Sequence, residues 1–326
     1  MRTTTRELVE RMRTGERLAL AKLMTIVENR EPETAAIMSS LSGGVESTVI
    51  GVTGPPGAGK STLLDALTSH FRQADKSVGI VAVDPSSPFS GGAVLGDRIR
   101  MQNHFLDEGV FIRSLSARGN VGGLARASRD VARLLQAAGK DVVIVETVGV
   151  GQSEMDIMRL ADTVVVVLVP EAGDTVQAMK AGLLEIADIF VVNKADRDGA
   201  MKIKTELEQM LHLRPPDGWD VPVLMTVATS AQGIGELAAA IDSHRRYLAD
   251  SGRGAQRGAS GRQQEFFSVL RDELGRRIEL ALRDEYLAAL VGRVERGELD
   301  PYGAALEAVS HPALVSRVLG VAKETD

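Results

Sequence analysis

Residues 49–62 read VIGVTGPPGAGKST, an apolar run that leads into a glycine-rich turn, one lysine and two hydroxyl residues. The pattern from Gly54 to Ser61 fits the phosphate loop GxxxxGK[ST], which follows a strand and opens a helix. Backbone N–H groups of such a loop close around a polyphosphate, and glycine leaves room for that approach. The alternative is a Gly-Pro turn that happens to precede a helix. It is disfavoured because the strand before the loop and the amphipathic stretch after it are both in place.

Two side chains at the end of this loop carry its charge and its metal chemistry. Lys60 directs an ammonium group toward the β- and γ-phosphates, and the hydroxyl of Ser61 reaches a phosphate-bound Mg²⁺. We therefore predict that the loop as a whole holds the phosphates of a nucleotide triphosphate. Its candidate binding residues are Gly54, Pro55, Pro56, Gly57, Ala58, Gly59, Lys60, Ser61 and Thr62.

Apolar runs alternate with helical patterns beyond this loop, and the alternation predicts the fold. The runs are continuous and rich in β-branched residues, as in a parallel sheet that is covered on both faces. The expected fold class is α/β, a doubly wound, mostly parallel sheet that binds ligands at the carboxyl ends of its strands. The predicted strands are Thr48–Thr53, Val78–Val83, Val110–Leu115, Val142–Glu146, Thr163–Val169, Ile189–Asn193 and Val221–Val227.

The composition of the 326-residue chain excludes several classes of function. It has no cysteine, which rules out disulfides, cysteine-ligated zinc and thiol catalysis. A formal charge of −6 without a basic stripe argues against nucleic acid. The charged N-terminus carries no signal-peptide core, and the longest purely apolar run, 164–169, is too short to span a bilayer. We therefore expect a cytoplasmic protein with neither a nucleic-acid nor a membrane partner.

The identity of the base is indicated by residues 193–196, which read Asn-Lys-Ala-Asp and end the sixth predicted strand. The carboxylate of Asp196 can accept hydrogen bonds from N1–H and the exocyclic amine of guanine, a donor pair that adenine lacks. Asn193 can bond the base and neighbouring loops, and the stem of Lys194 can cover the base plane. The tetrapeptide is weak alone, since turns are rich in these residues. Its position after an apolar strand, downstream of the phosphate loop, predicts GTP.

A further strand ends in Ser230 and Ala231. This pair resembles the fifth guanine-binding motif of GTPases, in which a backbone N–H contacts the base O6. Ser-Ala carries little information by itself. It supports GTP here only because it follows the phosphate loop and the Asn-Lys-Ala-Asp motif in that order.

Residues 142–154, VVIVETVGVGQSE, contain side chains expected near the metal and the γ-phosphate. Glu146 ends a predicted strand and can hold the Mg²⁺ shell, directly or through water, although ordinary GTPases carry the shorter Asp there. The N–H of Gly149 can meet the γ-phosphate and sense its loss. Gln152 and Glu154 either position the attacking water or are ordinary polar residues of a glycine-rich loop.

Two further carboxylates follow the second predicted strand. Asp84 stands at the carboxyl end of that strand and Asp97 in the glycine-rich stretch after it. Both can converge on a Mg²⁺–phosphate centre, which is built from oxygen ligands. The alternatives are that Asp84 caps a turn before Pro85 and that Asp97 is the N-cap of a helix.

Together these stretches resemble one family, the MeaB/ArgK-type GTPases, which are chaperones of adenosylcobalamin-dependent methylmalonyl-CoA mutase. The resemblance covers nearly the whole chain. Its most specific stretches are VAVDPSSPFSGGAVLGDRIRM at 81–101 and ETVGVGQSE at 146–154. The family belongs to the SIMIBI class of dimeric nucleotide switches, so the resemblance implies a homodimer. It also implies GTP hydrolysis to GDP with Mg²⁺, coupled to gated delivery of adenosylcobalamin and to protection of the mutase from inactivation.

The resemblance also assigns roles to individual residues. It implies that Lys60, Glu146, Asp97 and Gln152 serve catalysis. The implied metal residues are Ser61, Asp97 and Glu146, with Asp84, and the implied guanine-reading residues are Asp196, Ser230, Ala231 and Gln232. Lys180 would couple the nucleotide state to the partner, whereas its residue type alone indicates a solvated surface lysine. The phosphate loop lacks the second lysine that several relatives in the wider class carry. If catalysis needs a further positive charge, Arg98 and Arg100 are candidates on the basis of their location only.

The expected organisation is a GTPase core with helical flanks. Residues 1–42 are predicted to be an N-terminal helical extension, 43–248 the GTPase domain, 249–262 a flexible linker rich in Gly, Ser and Arg, and 263–326 a C-terminal helical dimerisation arm. The apolar stripe of the arm either buries itself against a second copy or packs back on the edge of the sheet.

Three other functions fit the sequence less well. A nickel metallochaperone GTPase would need Cys/His clusters, and the five histidines are scattered. A kinase for a small molecule or a transport protein would need an acceptor site and a base that the sequence does not reveal. A protein-targeting GTPase would bring a methionine-rich domain, and the eleven methionines are dispersed.

Overall fold

The computed structural model describes residues 3–41, 47–84, 101–116, 121–147, 160–170, 182–213, 218–281 and 285–319. Each strand begins and ends within two residues of its predicted bounds. The strands are β1 (Thr48–Thr53), β2 (Val78–Asp84), β3 (Val110–Ser116), β4 (Val142–Glu146), β5 (Thr163–Leu168), β6 (Ile189–Asn193) and β7 (Val223–Thr226). The α-helices are α1 (Thr3–Arg13), α2 (Arg17–Glu28), α3 (Thr34–Ser40), α4 (Lys60–Gln73), α5 (Val121–Ala137), α6 (Leu183–Ile186), α7 (Ala200–His212), α8 (Ile234–Asp250), α9 (Arg253–Ala281), α10 (Glu285–Glu295), α11 (Pro301–Ser310) and α12 (Pro312–Leu319).

The seven strands form one sheet in the order β3-β2-β4-β1-β5-β6-β7, and every neighbouring pair is parallel. The strand that precedes the phosphate loop, β1, therefore lies in the middle of the sheet. Its residue Val52 stands opposite Glu146 of β4 on one side and Val165 of β5 on the other. Because parallel strands end at the same edge, the loops after β1, β4, β6 and β7 share one edge of the sheet.

Hydrophobic cores cover both faces of this sheet, because successive strand residues point to opposite sides. Ile50 of β1 belongs to a core that includes Leu63 of α4 and residues of α8. Its neighbour Val49 belongs to a second core that includes Leu23 of α2 and residues of α5 and α7. The doubly wound α/β fold predicted from the continuous apolar runs is confirmed.

The N-terminal helices pack on the same face as α5. Met12, Leu23 and Met24 are fully buried in the core of that face. Arg113 of β3 also binds Glu28 and Thr25 at the end of α2, which ties the extension to an edge strand of the sheet. The prediction of helices in the N-terminal segment is confirmed for the described part of it.

The chain divides into two compact units, 1–254 and 255–326. The second unit contains most of α9 together with α10–α12, and it has a small core of its own. The buried residues of that core are Ala281, Leu287, Leu290, Ala304 and Leu314. Large apolar side chains of α9 remain exposed, among them Phe266, Phe267, Leu270 and Ile278.

The predicted flexible linker at 249–262 differs from the structure. From Arg253 onward this stretch is the first part of the 29-residue helix α9, and only Ser251 and Gly252 lie between α8 and α9. Alanine, arginine and glutamine are good helix formers, and here they outweigh glycines that each cost about 1 kcal/mol in a helix. The prediction of a flexible linker is therefore wrong from Arg253 onward.

Among the described residues, no helix combines the length and apolar character needed to cross a membrane.

Candidate functional site

The glycine-rich loop joins the carboxyl end of β1 to the first residue of α4. Gly54, Gly57 and Gly59 have φ values of +143°, +81° and +83°, which residues with a Cβ rarely adopt. A Cβ on Gly54 would lie 2.1 Å from the carbonyl oxygen of Val167 in β5, whereas one on Gly57 would meet nothing within 4 Å. The loop is thus packed against the sheet at its first glycine and open at Gly57, where a phosphate has room.

Lys60 begins α4, and its side chain reaches back to the loop. It is 7% exposed, and its Nζ donates to the carbonyl oxygens of Gly54 at 2.7 Å and Pro55 at 3.0 Å. These acceptors are neutral, and a phosphate oxygen would be a stronger partner because it is charged. Of the other loop residues, Ala58 is buried, Pro56 is exposed and Thr62 is half-buried on α4.

Gly59 offers a test of the loop geometry, because a Cβ there would lie 2.5 Å from Nδ2 of Asn193. We expect Gly59→Ala to destabilise the nucleotide-free protein by about 1–2 kcal/mol through its positive φ. Displacement of Asn193 from its hydrogen bonds should cost about 1–2 kcal/mol more. The measurement is urea unfolding. The matched control is Gly57→Ala, which carries the same φ strain without a clash, and equal losses in the two variants would contradict the prediction.

Ser61 and Glu146 form the candidate metal site within the described residues. The hydroxyl of Ser61 donates to Oε1 of Glu146 at 2.9 Å, and each residue is 5% exposed. One side chain comes from the first turn of α4 and the other from the last residue of β4. A hydroxyl and a carboxylate beside a phosphate-binding loop are oxygen donors of the kind that Mg²⁺ prefers, so this donor set fits the ion.

Other predicted metal and switch residues cannot be located in this way. Asp84 is the last residue of β2, two positions beyond the residue that pairs with Glu146, and its side chain is not described. The remaining predicted residues lie outside the described ranges: Asp97, Arg98, Arg100, Gly149, Gln152, Glu154 and Lys180.

Asn193 joins three loops at the carboxyl edge of the sheet. Its Nδ2 donates to the carbonyl oxygen of Ala58 at 2.9 Å, in the phosphate loop. Its Oδ1 accepts from the hydroxyl of Thr226 at 3.1 Å and from the N–H of Ala228 at 3.2 Å. Asn193 is only 2% exposed, so this amide is part of the framework on which the candidate base-binding and phosphate-binding loops stand.

The turn that follows Asn193 is fixed to β7 by its backbone. Lys194 has a φ of +55°, and the N–H of Ala195 donates to the carbonyl oxygen of Thr226 at 3.0 Å. Asp196 is exposed at the tip of this turn. The structure thus brings the Asn-Lys-Ala-Asp motif to the same edge as the phosphate loop and leaves its carboxylate open to a ligand.

Ser230, Ala231 and Gln232 form an exposed tight turn after β7. Val227 and Gln232 exchange two backbone hydrogen bonds, at 3.1 and 3.3 Å. The N–H groups of Ser230 and Ala231 also donate within the turn, at 3.1 and 3.3 Å. If one of these N–H groups also donated to a base, it would divide its hydrogen bond between the base and a carbonyl oxygen of the turn.

Three buried threonines of this edge were missed in the sequence. Thr226 holds Asn193, and the hydroxyl of Thr147 donates to that of Thr53 at 2.9 Å. All three are at most 5% exposed. The sequence does show a hydroxyl residue at, or just beyond, the end of each of these apolar strands. This pattern indicates a contact only when the register of the sheet is known.

Comparison with known proteins finds chains that are similar to this one over most of its length. The family described as methylmalonyl-CoA mutase-associated GTPase MeaB matches residues 20–282. A relative from Pyrococcus horikoshii, named as a GTPase, is 47% identical over 306 residues, which are 92% of this chain and 95% of the relative. The GTPase ArgK of Escherichia coli is 40% identical over 280 residues, 83% of each chain. The solved structure of a LAO/AO transport system kinase has a TM-score of 0.70 and 30% identity, covering 94% of this chain and 97% of that one.

Proposed function

Since the chain belongs to the MeaB family of methylmalonyl-CoA mutase-associated GTPases, we propose that it is a GTP-hydrolysing chaperone of that mutase. In this proposal it gates the loading of adenosylcobalamin and protects the mutase from inactivation. GTP hydrolysis is the activity for which its relatives are named. The family match over residues 20–282 is the observation that carries the proposal.

The phosphates are proposed to lie in the loop 54–62. Lys60 then exchanges its carbonyl partners for β- and γ-phosphate oxygens and neutralises charge that develops during phosphoryl transfer. Bound Mg²⁺ supplies charge neutralisation between the phosphates, and Ser61 and Glu146 are the described residues that would hold it. Asp84 and Asp97 are proposed as further metal residues, and Gln152 as the residue that orients water.

Guanine is proposed to lie between the two turns that Asn193 supports. Asp196 accepts from the base N1–H and amine, and a backbone N–H of the 230–232 turn donates to O6. The support for this assignment is that both turns and the phosphate loop meet at one buried amide. Gly149 would sense the γ-phosphate, and Lys180 would transmit the nucleotide state to the mutase.

A homodimer is also part of the proposal. The apolar side chains exposed on α9 support it, since they include Phe266 at 60% and Phe267 at 50% exposure. Large apolar side chains clustered on one helix are typical of a surface that a partner covers. A second copy of the chain is the proposed occupant, as in the dimeric switches that the sequence resembles.

The test combines GTP hydrolysis with the methylmalonyl-CoA mutase of the same organism. We expect slow release of free phosphate from GTP, faster release when the mutase is added, and no turnover of ATP. The mutase should also stay active longer, and take up adenosylcobalamin only in one nucleotide state, when the protein is present. Size-exclusion chromatography of the same samples reports the complex and the mass of the free protein.

The outcomes separate the proposal from its alternatives. If adding the mutase did not change the rate of GTP hydrolysis, the protein would be a GTPase with another partner. That result would overturn its role as a chaperone of methylmalonyl-CoA mutase. The structural relative named as a kinase keeps phosphoryl transfer to an acceptor as the alternative activity. A phosphorylated acceptor in place of free phosphate would establish that alternative.

A further inference from the structure

Two buried threonines join the central strands where the candidate site begins. The hydroxyl of Thr147 donates to Oγ1 of Thr53 at 2.9 Å, and the two residues are 5% and 0% exposed. The N–H of Thr147 also donates to the carbonyl oxygen of Val52 at 3.1 Å. The ends of β1 and β4 are therefore linked by a side-chain bond as well as by the backbone.

The sequence neighbours of this pair are residues of the candidate site. Thr53 is followed directly by Gly54, the first residue of the phosphate loop, and Thr147 directly follows Glu146. Because side chains alternate along a strand, the threonines point to the face opposite Glu146, which points toward Ser61. One hydrogen bond thus joins the position before the phosphate loop to the position after the candidate metal ligand.

The hydroxyls are not needed to fill the space. The strand residues around them are almost all apolar: Val49, Ile50 and Val52 in β1, and the run of four residues before Glu146 in β4. Valine has the shape of threonine, and replacing both partners of a buried hydrogen bond with apolar groups of the same shape is nearly neutral for stability. What two valines would not supply is a directional bond that fixes the distance between the two strand ends.

We propose that Thr53 and Thr147 are a positioning pair for Mg²⁺-dependent GTP hydrolysis, an inference that rests on the function proposed above. The bond holds Glu146 at a fixed distance from the phosphate loop and hence from Ser61. Neither threonine contacts the nucleotide or the metal. They act indirectly by positioning Glu146, as residues that hydrogen-bond around a metal ligand set the orientation of that ligand.

The experiment compares four variants of the pair in the full-length protein: Thr53→Val, Thr147→Val, the double valine variant and Thr147→Ser. The readout is the Mg²⁺ concentration that gives half-maximal GTP hydrolysis. We expect this midpoint to rise about tenfold in the three valine-containing variants, the lower end of the effect of losing a group behind a metal ligand. Thr147→Ser keeps the hydroxyl and should stay within about twofold of wild type.

A matched control is available in the same sheet. Thr163 begins β5, is fully buried, and its hydroxyl hydrogen-bonds Nδ1 of His244 at 2.8 Å. It lies at the opposite edge from the candidate site, so Thr163→Val should leave the Mg²⁺ midpoint unchanged. Urea unfolding of all variants gives their stability. The double valine variant should be more stable than either single one, since it leaves no buried hydroxyl alone.

The outcomes distinguish the pair from the proposed function. The inference would be overturned if the double valine variant kept the wild-type Mg²⁺ midpoint and kcat. It would also be overturned if the midpoint changed in proportion to the loss of stability, so that Thr163→Val shifted it as much as the variants of the pair. If the wild-type protein hydrolysed GTP at the same rate with and without Mg²⁺, the assignment of Ser61 and Glu146 to a Mg²⁺ site would be overturned. The inference about the threonine pair would be overturned with it. GDP binding in the presence of EDTA checks that each variant is folded at the base-binding edge.

Discussion

Asp196→Asn is expected to raise the GTP concentration needed for half-maximal hydrolysis by roughly 10²-fold or more, and to make XTP a substrate. A carboxylate accepts two hydrogen bonds from guanine, but an asparagine presents an N–H₂ to the guanine amine, so two donors face each other. Xanthine carries a carbonyl in place of that amine and therefore suits the asparagine. Phosphate release with GTP, XTP and ATP as alternative substrates is the measurement.

Asp198→Asn is the matched control for this change, because Asp198 is also exposed and stands two residues further along the same turn. It removes the same charge from the same surface and should leave the preference for GTP intact. If Asp196→Asn kept a wild-type preference for GTP over XTP, Asp196 would not read the base.

Lys60→Ala is expected to reduce kcat/KM for GTP by about 10³-fold, the upper range for removing one preorganised donor from a transition state. Lys60 is buried and its ammonium already points at the carbonyl oxygens of the phosphate loop, so little rearrangement is needed when phosphates arrive. Alanine keeps the start of α4 and removes the ammonium group, together with its hydrogen bonds to the carbonyl oxygens of Gly54 and Pro55. Single-turnover GTP hydrolysis measures the effect.

Lys202→Ala gives the control for lost charge, since Lys202 is a lysine of α7 whose side chain is 80% exposed. Thermal unfolding with and without GTP should show that the Lys60 variant is folded and has lost most of the stabilisation that the nucleotide gives. A Lys60 variant that hydrolysed GTP within about tenfold of wild type would show that the loop works without its lysine.

The fold was predictable from the sequence because its signal is local. Strands that are buried on both faces read as short apolar runs rich in β-branched residues, and the central strands β1, β4, β5 and β6 have such runs. The largest difference, at β7, has a local cause as well. Pro222 cannot donate a backbone hydrogen bond, and the strand begins at the following residue, Val223.

The parts that escaped prediction depend on distant partners or on weak composition signals. The bond between Thr53 and Thr147 joins residues 94 positions apart, and nothing in either neighbourhood indicates the register that brings them together. The contact of Asn193 with Ala58 spans 135 positions, although the motif had suggested that this amide binds neighbouring loops. The helix at 253–262 was not predicted because glycine and serine are typical of linkers, whereas the alanine, arginine and glutamine residues between them favour a helix.

The central place of β1 has a consequence for synthesis on the ribosome. Both neighbours of this strand, β4 and β5, begin roughly 90 to 110 residues after it ends. At about 5–20 residues per second, the nascent chain carries β1 for several seconds before either neighbour exists. An apolar strand with two open edges is a template for wrong pairing during that time. Nucleotide binding cannot prevent wrong pairing of β1 at this stage, because the residues proposed to bind the base are translated after β4 and β5.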